Sequence, residues 1–157
     1  MTRHLALAIV AALALLWTDG RARAMGKPGV TPVPCAAQEW TPGDPAFEAL
    51  AGAKAYSGKY DGGIYRIEIP DTWNGELVLY AHGYTASTGS AGSQLRVGNH
   101  TIREHLIKQG FAWAASSYRC NGYVPGIGLR DTVALVDLFT KTNAGRAPQR
   151  TIPAVSA

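Results

Sequence analysis

The tripeptide His82-Gly83-Tyr84 is the part of the sequence whose residue types and position best suit chemistry. It directly follows the apolar run 77–81, which has the composition of an interior strand covered on both faces. Hydrolysis of an ester or amide passes through a tetrahedral oxyanion, and a preorganised backbone N–H that donates to this oxygen contributes about 3 kcal/mol. Gly83 allows a turn with no side chain in the way. A glycine turn at the end of a buried strand can present such an N–H, and the alternative is a buried strand end without a function.

The elements that must position this tripeptide follow from the spacing of apolar residues. Residues 64–69 alternate, with Arg66 and Glu68 on the polar face, which predicts a half-buried strand that ends at Pro70. Asn74-Gly75 favours a direct hairpin to the strand over 76–81. Residues 70–75 can nevertheless extend about 20 Å, which leaves room for another strand between the two. Both connections remain open from the sequence.

The rest of the chain continues with helices and strands in alternation. We predict a helix over 101–109, a buried strand over 111–118 and a helix over 129–142. Asp131 places a negative charge near the start of the last helix, where the helix dipole favours it. Alternation of this kind predicts an α/β fold with a mostly parallel sheet and helices packed on it.

Three segments in this order resemble the α/β-hydrolases, most closely their secreted esterase- or peptidase-like members. Segment 78–84 is similar to their third strand and oxyanion turn, 109–119 to their fourth strand, and 131–139 to the helix before the nucleophile strand. The resemblance implies a partial α/β-hydrolase sheet. It also implies that the N–H of Tyr84, next to Gly83, faces the oxyanion and that His82 is structural, because the triad order in this family is Ser, acid, His. A catalytic His82 is the alternative.

The nucleophile motif of that family, Gly-x-Ser-x-Gly, does not occur in the sequence. Ser156, with Ala154 in place of the first Gly, is the candidate for a remnant nucleophile position, although Pro153 lies where a central strand would need an N–H. The acid and the His that follow the nucleophile in the family are also absent.

These observations predict a serine hydrolase of carboxylic esters or related acyl compounds, represented by a chain truncated before or at the nucleophile strand and inactive. The alternative is a non-catalytic exported binding protein on the same scaffold. A third hypothesis is an unstable chain in which 77–81 becomes an exposed, aggregation-prone edge.

The N-terminal segment predicts export. A basic start at Arg3 and His4, an apolar run over 5–17 and a small-x-small pattern at 22–24 indicate a signal peptide over 1–24, with an uncleaved anchor as the alternative. We expect an extended arm over 25–60 and the partial hydrolase domain over 61–157. In a secreted or periplasmic protein Cys35 and Cys120 meet an oxidising compartment, and both a bridge and two free thiols remain open.

Charge and spacing exclude several partners. Removal of 1–24 takes away three Arg and one Asp, so the formal charge falls from +4 to +2, and no Lys/Arg cluster argues for nucleic acid. His100 and His105 are five residues apart, about 140° around a helix, which does not suit a zinc site. We expect no metal, no cofactor, a small-molecule ester or acyl partner, and no stable membrane association after signal cleavage.

Overall fold

The computed structural model describes residues 35, 41–42, 44, 46–87, 92 and 94–156. The predicted signal peptide, 1–24, lies outside the described residues. The elements in chain order are β1 (Thr41–Pro42), β2 (Ala53–Tyr60), β3 (Gly63–Pro70), β4 (Glu76–Ala81), β5 (Gln94–Leu95), α1 (Arg103–Lys108), β6 (Ala112–Ser116), α2 (Pro125–Thr142) and β7 (Arg150–Val155). The short strands β1 and β5 pair in parallel with each other.

The five longer strands form one mixed sheet in the order β2-β3-β6-β4-β7. β3 pairs antiparallel with β2 and with β6, whereas β4 pairs in parallel with β6 and with β7. Two helices accompany this sheet in the described part of the chain. The prediction of a mostly parallel α/β-hydrolase sheet with helices packed on it is therefore wrong. The sheet dominates the fold, and half of its strand pairings are antiparallel.

The antiparallel pairing of β3 has a local cause, which the predicted alternation of helices and strands did not include. Residues 53–60, which the sequence analysis assigned to the extended arm, form β2 and pair with β3 along its whole length. Asp61 and Gly62 connect the two strands with φ of 48° and 86°, the pair of left-handed conformations that a tight hairpin turn requires. Parallel neighbours need a long crossover. The connections on either side of β3 contain no helix, so β3 runs against the other strands.

β4 lies inside the sheet, between β6 and β7. The direct hairpin from β3 to β4 is thus not formed, and 77–81 is not an exposed edge. Instead, Asn74 N–H donates to Gly110 O at 2.9 Å, and Gln149 N–H donates to Gly75 O at 2.8 Å. The Asn74-Gly75 turn is therefore tied to the segments that lead into β6 and β7.

Pro153 lies in β7, at the edge of the sheet, where it pairs with Leu79. Ser156 N–H donates to Ala81 O at 3.1 Å, so alternate amides of β7 point toward β4. Pro153, an odd number of residues away from Ser156, directs its nitrogen to the open side of the strand. Because Pro153 lies on an edge strand and its nitrogen faces away from β4, the missing N–H costs no hydrogen bond of the sheet, and the strand can include this proline.

Both faces of the three central strands, β3, β6 and β4, are covered. One face packs against α2 through a core that includes Ile67, Leu77, Leu79, Ala114, Leu135 and Phe139. The other face packs against α1 through Val78, Leu106, Ile107, Trp113 and Ala115. β4 is covered on both sides, as its continuous apolar run indicates.

The expectation that β3 is half-buried is wrong, because Arg66 and Glu68 are 3% and 0% exposed. The Glu68 carboxylate accepts hydrogen bonds from Arg103 Nε at 2.9 Å, Trp113 Nε1 at 2.8 Å and Leu50 N–H at 2.7 Å. Burial alone would raise the pKa of Glu68, but these donors outweigh it and hold the pKa below its ordinary value. A buried ionic cluster therefore replaces the expected polar face.

Candidate ligand-binding site

An apolar pocket of about 450 Å³ lies at the carboxyl ends of β4 and β7, beside the first half of α2. In open sheets, ligands commonly bind just outside the carboxyl ends of parallel strands. The two strands and the helix contribute apolar side chains to its wall: Leu79, Leu129, Val133, Pro153 and Val155. The volume lies within the range of small-molecule sites.

The turn after β4 forms the polar end of this pocket, which His82, Gly83 and Tyr84 all line. His82 Nδ1 lies 2.8 Å from Gly83 O. Because a carbonyl oxygen can only accept, Nδ1 carries the proton of the neutral ring and Nε2 is the acceptor. Nε2 is buried and has no hydrogen-bond partner in the described part of the chain. These contacts are those of a residue that shapes the turn.

Tyr84 lines this end of the pocket. Among the described residues, no hydrogen-bond acceptor takes its N–H. The next residue, Thr85, is held in place because its carbonyl oxygen accepts from Gly122 N–H at 2.8 Å. A backbone N–H left without a partner on a fixed turn is available to a ligand oxygen.

Tyr118 supports the turn from the loop after β6. Its hydroxyl donates to His82 O at 2.8 Å, and its ring stacks on the His82 imidazole with the centroids 3.9 Å apart. Burial raises the pKa of Tyr118, so the hydroxyl keeps its proton at neutral pH and remains a donor. Tyr118 has a left-handed φ of 57°. Ser116 and Ser117 hold this backbone: Tyr118 N–H donates to Ser116 Oγ at 3.0 Å, and Ser117 Oγ donates to Tyr118 O at 2.7 Å.

The loop that carries Tyr118 is anchored on both sides. Arg119 N–H donates to Asp131 Oδ2 at 2.8 Å, and the Arg119 guanidinium binds the same carboxylate. That hydrogen bond to Asp131 raises the pKa of Arg119. Asp131 is therefore a buried residue that anchors this loop. The sequence had suggested a different role, a charge at the start of the helix. Cys120 is bridged to Cys35, with their Cα atoms 5.6 Å apart, so the thiols are not free.

Ser156 lies beside the turn without lining the pocket. Its N–H donates to Ala81 O, whereas the residue before it, Val155, belongs to the wall. Among the described residues that line the pocket there is no Ser, Cys, Asp, Glu, Lys or Arg. The structure therefore brings His82, Gly83 and Tyr84 together at the pocket and leaves Ser156 at its border.

The supporting roles of Tyr118 and Asp131 at this site were not predicted from the sequence. The Tyr118 hydroxyl meets a carbonyl 36 residues earlier, and Asp131 meets a loop 12 residues earlier. Contacts between residues so far apart in the chain produce no local sequence pattern. The pair Ser116-Ser117 at the end of a buried strand was the available signal, because hydroxyls at such a place often bond the backbone.

Comparison of the chain with family models, with curated proteins and with solved structures finds no match. No helix in the described ranges has the length and apolar character needed to cross a membrane. The same residues contain no group of three potential metal ligands. The Cys35–Cys120 bridge is compatible with an extracellular compartment. A function for the chain must therefore be inferred from the pocket itself.

Proposed function

We propose that the chain is an exported protein that binds a carboxylic ester or a related acyl compound in the pocket at the end of β4. Two observations together carry this proposal: the Tyr84 N–H has no acceptor among the described residues, and Tyr84 lines a cavity whose described lining is mostly apolar. The ligand's acyl oxygen accepts from this N–H, and its apolar groups contact the wall formed by Leu129 and Val133. An ester has both parts, one hydrogen-bond acceptor and apolar groups on either side of it.

Binding without turnover is the form of this function that the site favours. Ester hydrolysis requires a nucleophile within hydrogen-bond reach of a base, which a third group orients. The described lining offers His82 and the buried Thr132 hydroxyl, but no Ser, Cys or carboxylate. His82 Nδ1 is already bonded to Gly83 O, and Nε2 is buried and has no hydrogen-bond partner among the described residues, so no base is hydrogen-bonded to the Thr132 hydroxyl there. A donor for the acyl oxygen without an activated nucleophile beside it binds an ester and leaves it intact.

Serine-type hydrolysis through Ser156 is the second candidate. The observation in its favour is the hydrogen bond from Ser156 N–H to Ala81 O, because Ala81 directly precedes the His82-Gly83-Tyr84 turn. A movement of residues 155–156 would be needed to bring the hydroxyl to the acyl carbon.

One pair of variants tests the binding proposal. Tyr84→Pro removes the N–H, whereas Tyr84→Ala keeps it and removes the same aromatic ring. By titration calorimetry with methyl octanoate, Tyr84→Pro should bind about tenfold more weakly than Tyr84→Ala, which corresponds to one hydrogen bond. Equal affinities of the two variants would contradict the role of this N–H.

Turnover of p-nitrophenyl octanoate separates the two candidates. We expect no release of p-nitrophenolate above that of an unrelated protein at equal concentration. Catalytic release that Ser156→Ala abolishes, with methyl octanoate affinity retained, would establish the hydrolase and overturn the binding-only proposal.

A further inference from the structure

Exposed apolar side chains gather around the pocket. Seven large hydrophobic side chains of the described residues are exposed, and five of them line it: Tyr84, Tyr123, Leu129, Val133 and Val155. Tyr123 is 81% exposed and Leu129 68%. Contiguous exposed apolar surface of this kind marks a binding site. A ligand that covers it must itself be largely apolar.

The pocket offers no cation to an acidic ligand. Within the described lining there is no Lys or Arg. Arg119 is adjacent to the lining residue Tyr118, but it is occupied by Asp131 and Asp61. A carboxylate in the pocket would lose part of its water without gaining a positive partner, which is unfavourable. A neutral ester pays no such penalty, since its carbonyl needs a single donor.

The volume sets the length of the acyl chain. At about 30 Å³ for a group the size of water, 450 Å³ holds roughly 15 heavy atoms. An acetyl ester fills a minor part of this space and leaves most of the wall without a contact. An acyl chain of about eight carbons fills most of it.

We infer that the pocket selects a neutral ester with a medium-length apolar acyl chain over the corresponding free acid and over acetyl esters. This inference rests on the proposed function and names the ligand class of the same site. Selection against the acid also means that an acid formed from the bound ester by another enzyme leaves the pocket.

Titration calorimetry of the exported chain at neutral pH with three probes tests the inference: methyl octanoate, sodium octanoate and methyl acetate. Methyl octanoate should bind at least tenfold more tightly than octanoate. Each methylene adds about a three- to fourfold gain, so methyl acetate should bind at least a hundredfold more weakly than methyl octanoate. Octanoate or methyl acetate binding as tightly as methyl octanoate would overturn the inference and leave the proposed function standing. Absence of saturable binding by either ester would overturn the proposed function and the inference with it.

Two matched variants locate the effect. Leu129→Gln places a polar group on the wall of the pocket, and Ile102→Gln makes the same change at an exposed aliphatic position outside it. Leu129→Gln should weaken methyl octanoate binding about tenfold, and Ile102→Gln should leave it within about twofold. Equal losses from both variants would show that the ester binds elsewhere and would overturn the assignment.

Discussion

Gly128 lies in α2 against the Tyr118 ring, and its replacement tests how firmly the turn is supported. A Cβ at position 128 would lie 2.9 Å from both Cε2 and Cζ of Tyr118, closer than carbon atoms normally approach. The ring cannot withdraw freely, because it stacks on His82 and its hydroxyl donates to His82 O at 2.8 Å. Gly128→Ala must therefore move the ring that holds the turn.

Three contributions set the magnitude. Ala in place of Gly inside a helix stabilises by about 1 kcal/mol. Overpacking of the Tyr118 ring costs about 1–3 kcal/mol. Loss of the hydrogen bond to His82 O costs about 1 kcal/mol more. The free energy of unfolding should thus fall by about 1–3 kcal/mol.

Gly126, in the first turn of the same helix, supplies the control. A Cβ there would meet nothing within 4 Å, so Gly126→Ala should stabilise by up to about 1 kcal/mol. Urea unfolding followed by far-ultraviolet circular dichroism measures both variants, and Gly128→Ala should also weaken methyl octanoate binding. Equal stabilisation by both alanines would refute the contact between Gly128 and Tyr118 and the support that we assign to it.

Three further predictions concern stability. Glu68→Gln should lower the free energy of unfolding by about 3–5 kcal/mol, because it leaves the Arg103 guanidinium buried without its counter-charge; a loss below about 1 kcal/mol in urea unfolding would contradict this. Burial holds the pKa of His100 below its ordinary 6.5, so the unfolded chain binds more protons. Stability should fall as the pH drops below about 6.5, and melting curves of His100→Asn should lack this step. Cys120→Ser opens a link to Cys35 across a separation of 85 residues and should lower stability by about 4 kcal/mol, whereas an unchanged melting temperature would argue against the bridge.

The elements that pack their apolar side chains in the core could be predicted from the sequence. The strand predicted over 64–69 is β3, Gly63–Pro70, and the apolar run 77–81 lies within β4. The helix predicted from residue 129 begins at Pro125, where proline suits the first turn. Gly126 and Gly128 disfavour a helix over these residues. Gly128 lies in the helix where the Tyr118 ring leaves no room for a Cβ. This contact cannot be seen in the local sequence.

The direction of the strands could not be predicted, because it depends on β2. Residues 53–60 contain Lys, Ser and Gly and lie at an edge of the sheet, so their apolar periodicity is weak. The burial of Glu68 likewise depends on Arg103, which is 35 residues later in the chain. A charged residue on an alternating strand indicates solvent unless its distant partner is known.

At the site, the sequence indicated the segment His82-Gly83-Tyr84 but not the residues that hold it in place. His82, Gly83 and Tyr84 directly follow a buried strand, and in the structure all three line one pocket. The hydrogen bond from the Tyr118 hydroxyl and the anchor at Asp131 arise from tertiary packing. The position of Ser156 beside Ala81 depends on the register of β7 against β4, which the tail sequence alone did not set.

The most direct test follows the Tyr84 amide by ¹⁵N–¹H NMR, and the Leu129 and Val133 methyl groups by ¹³C–¹H NMR, during titration with methyl octanoate. We expect a saturable downfield shift of the Tyr84 N–H resonance, with parallel shifts of the methyl groups. Saturable shifts that spare Tyr84, or a free-state Tyr84 N–H as protected from solvent exchange as the amides of β4, would contradict a ligand donor at the end of that strand.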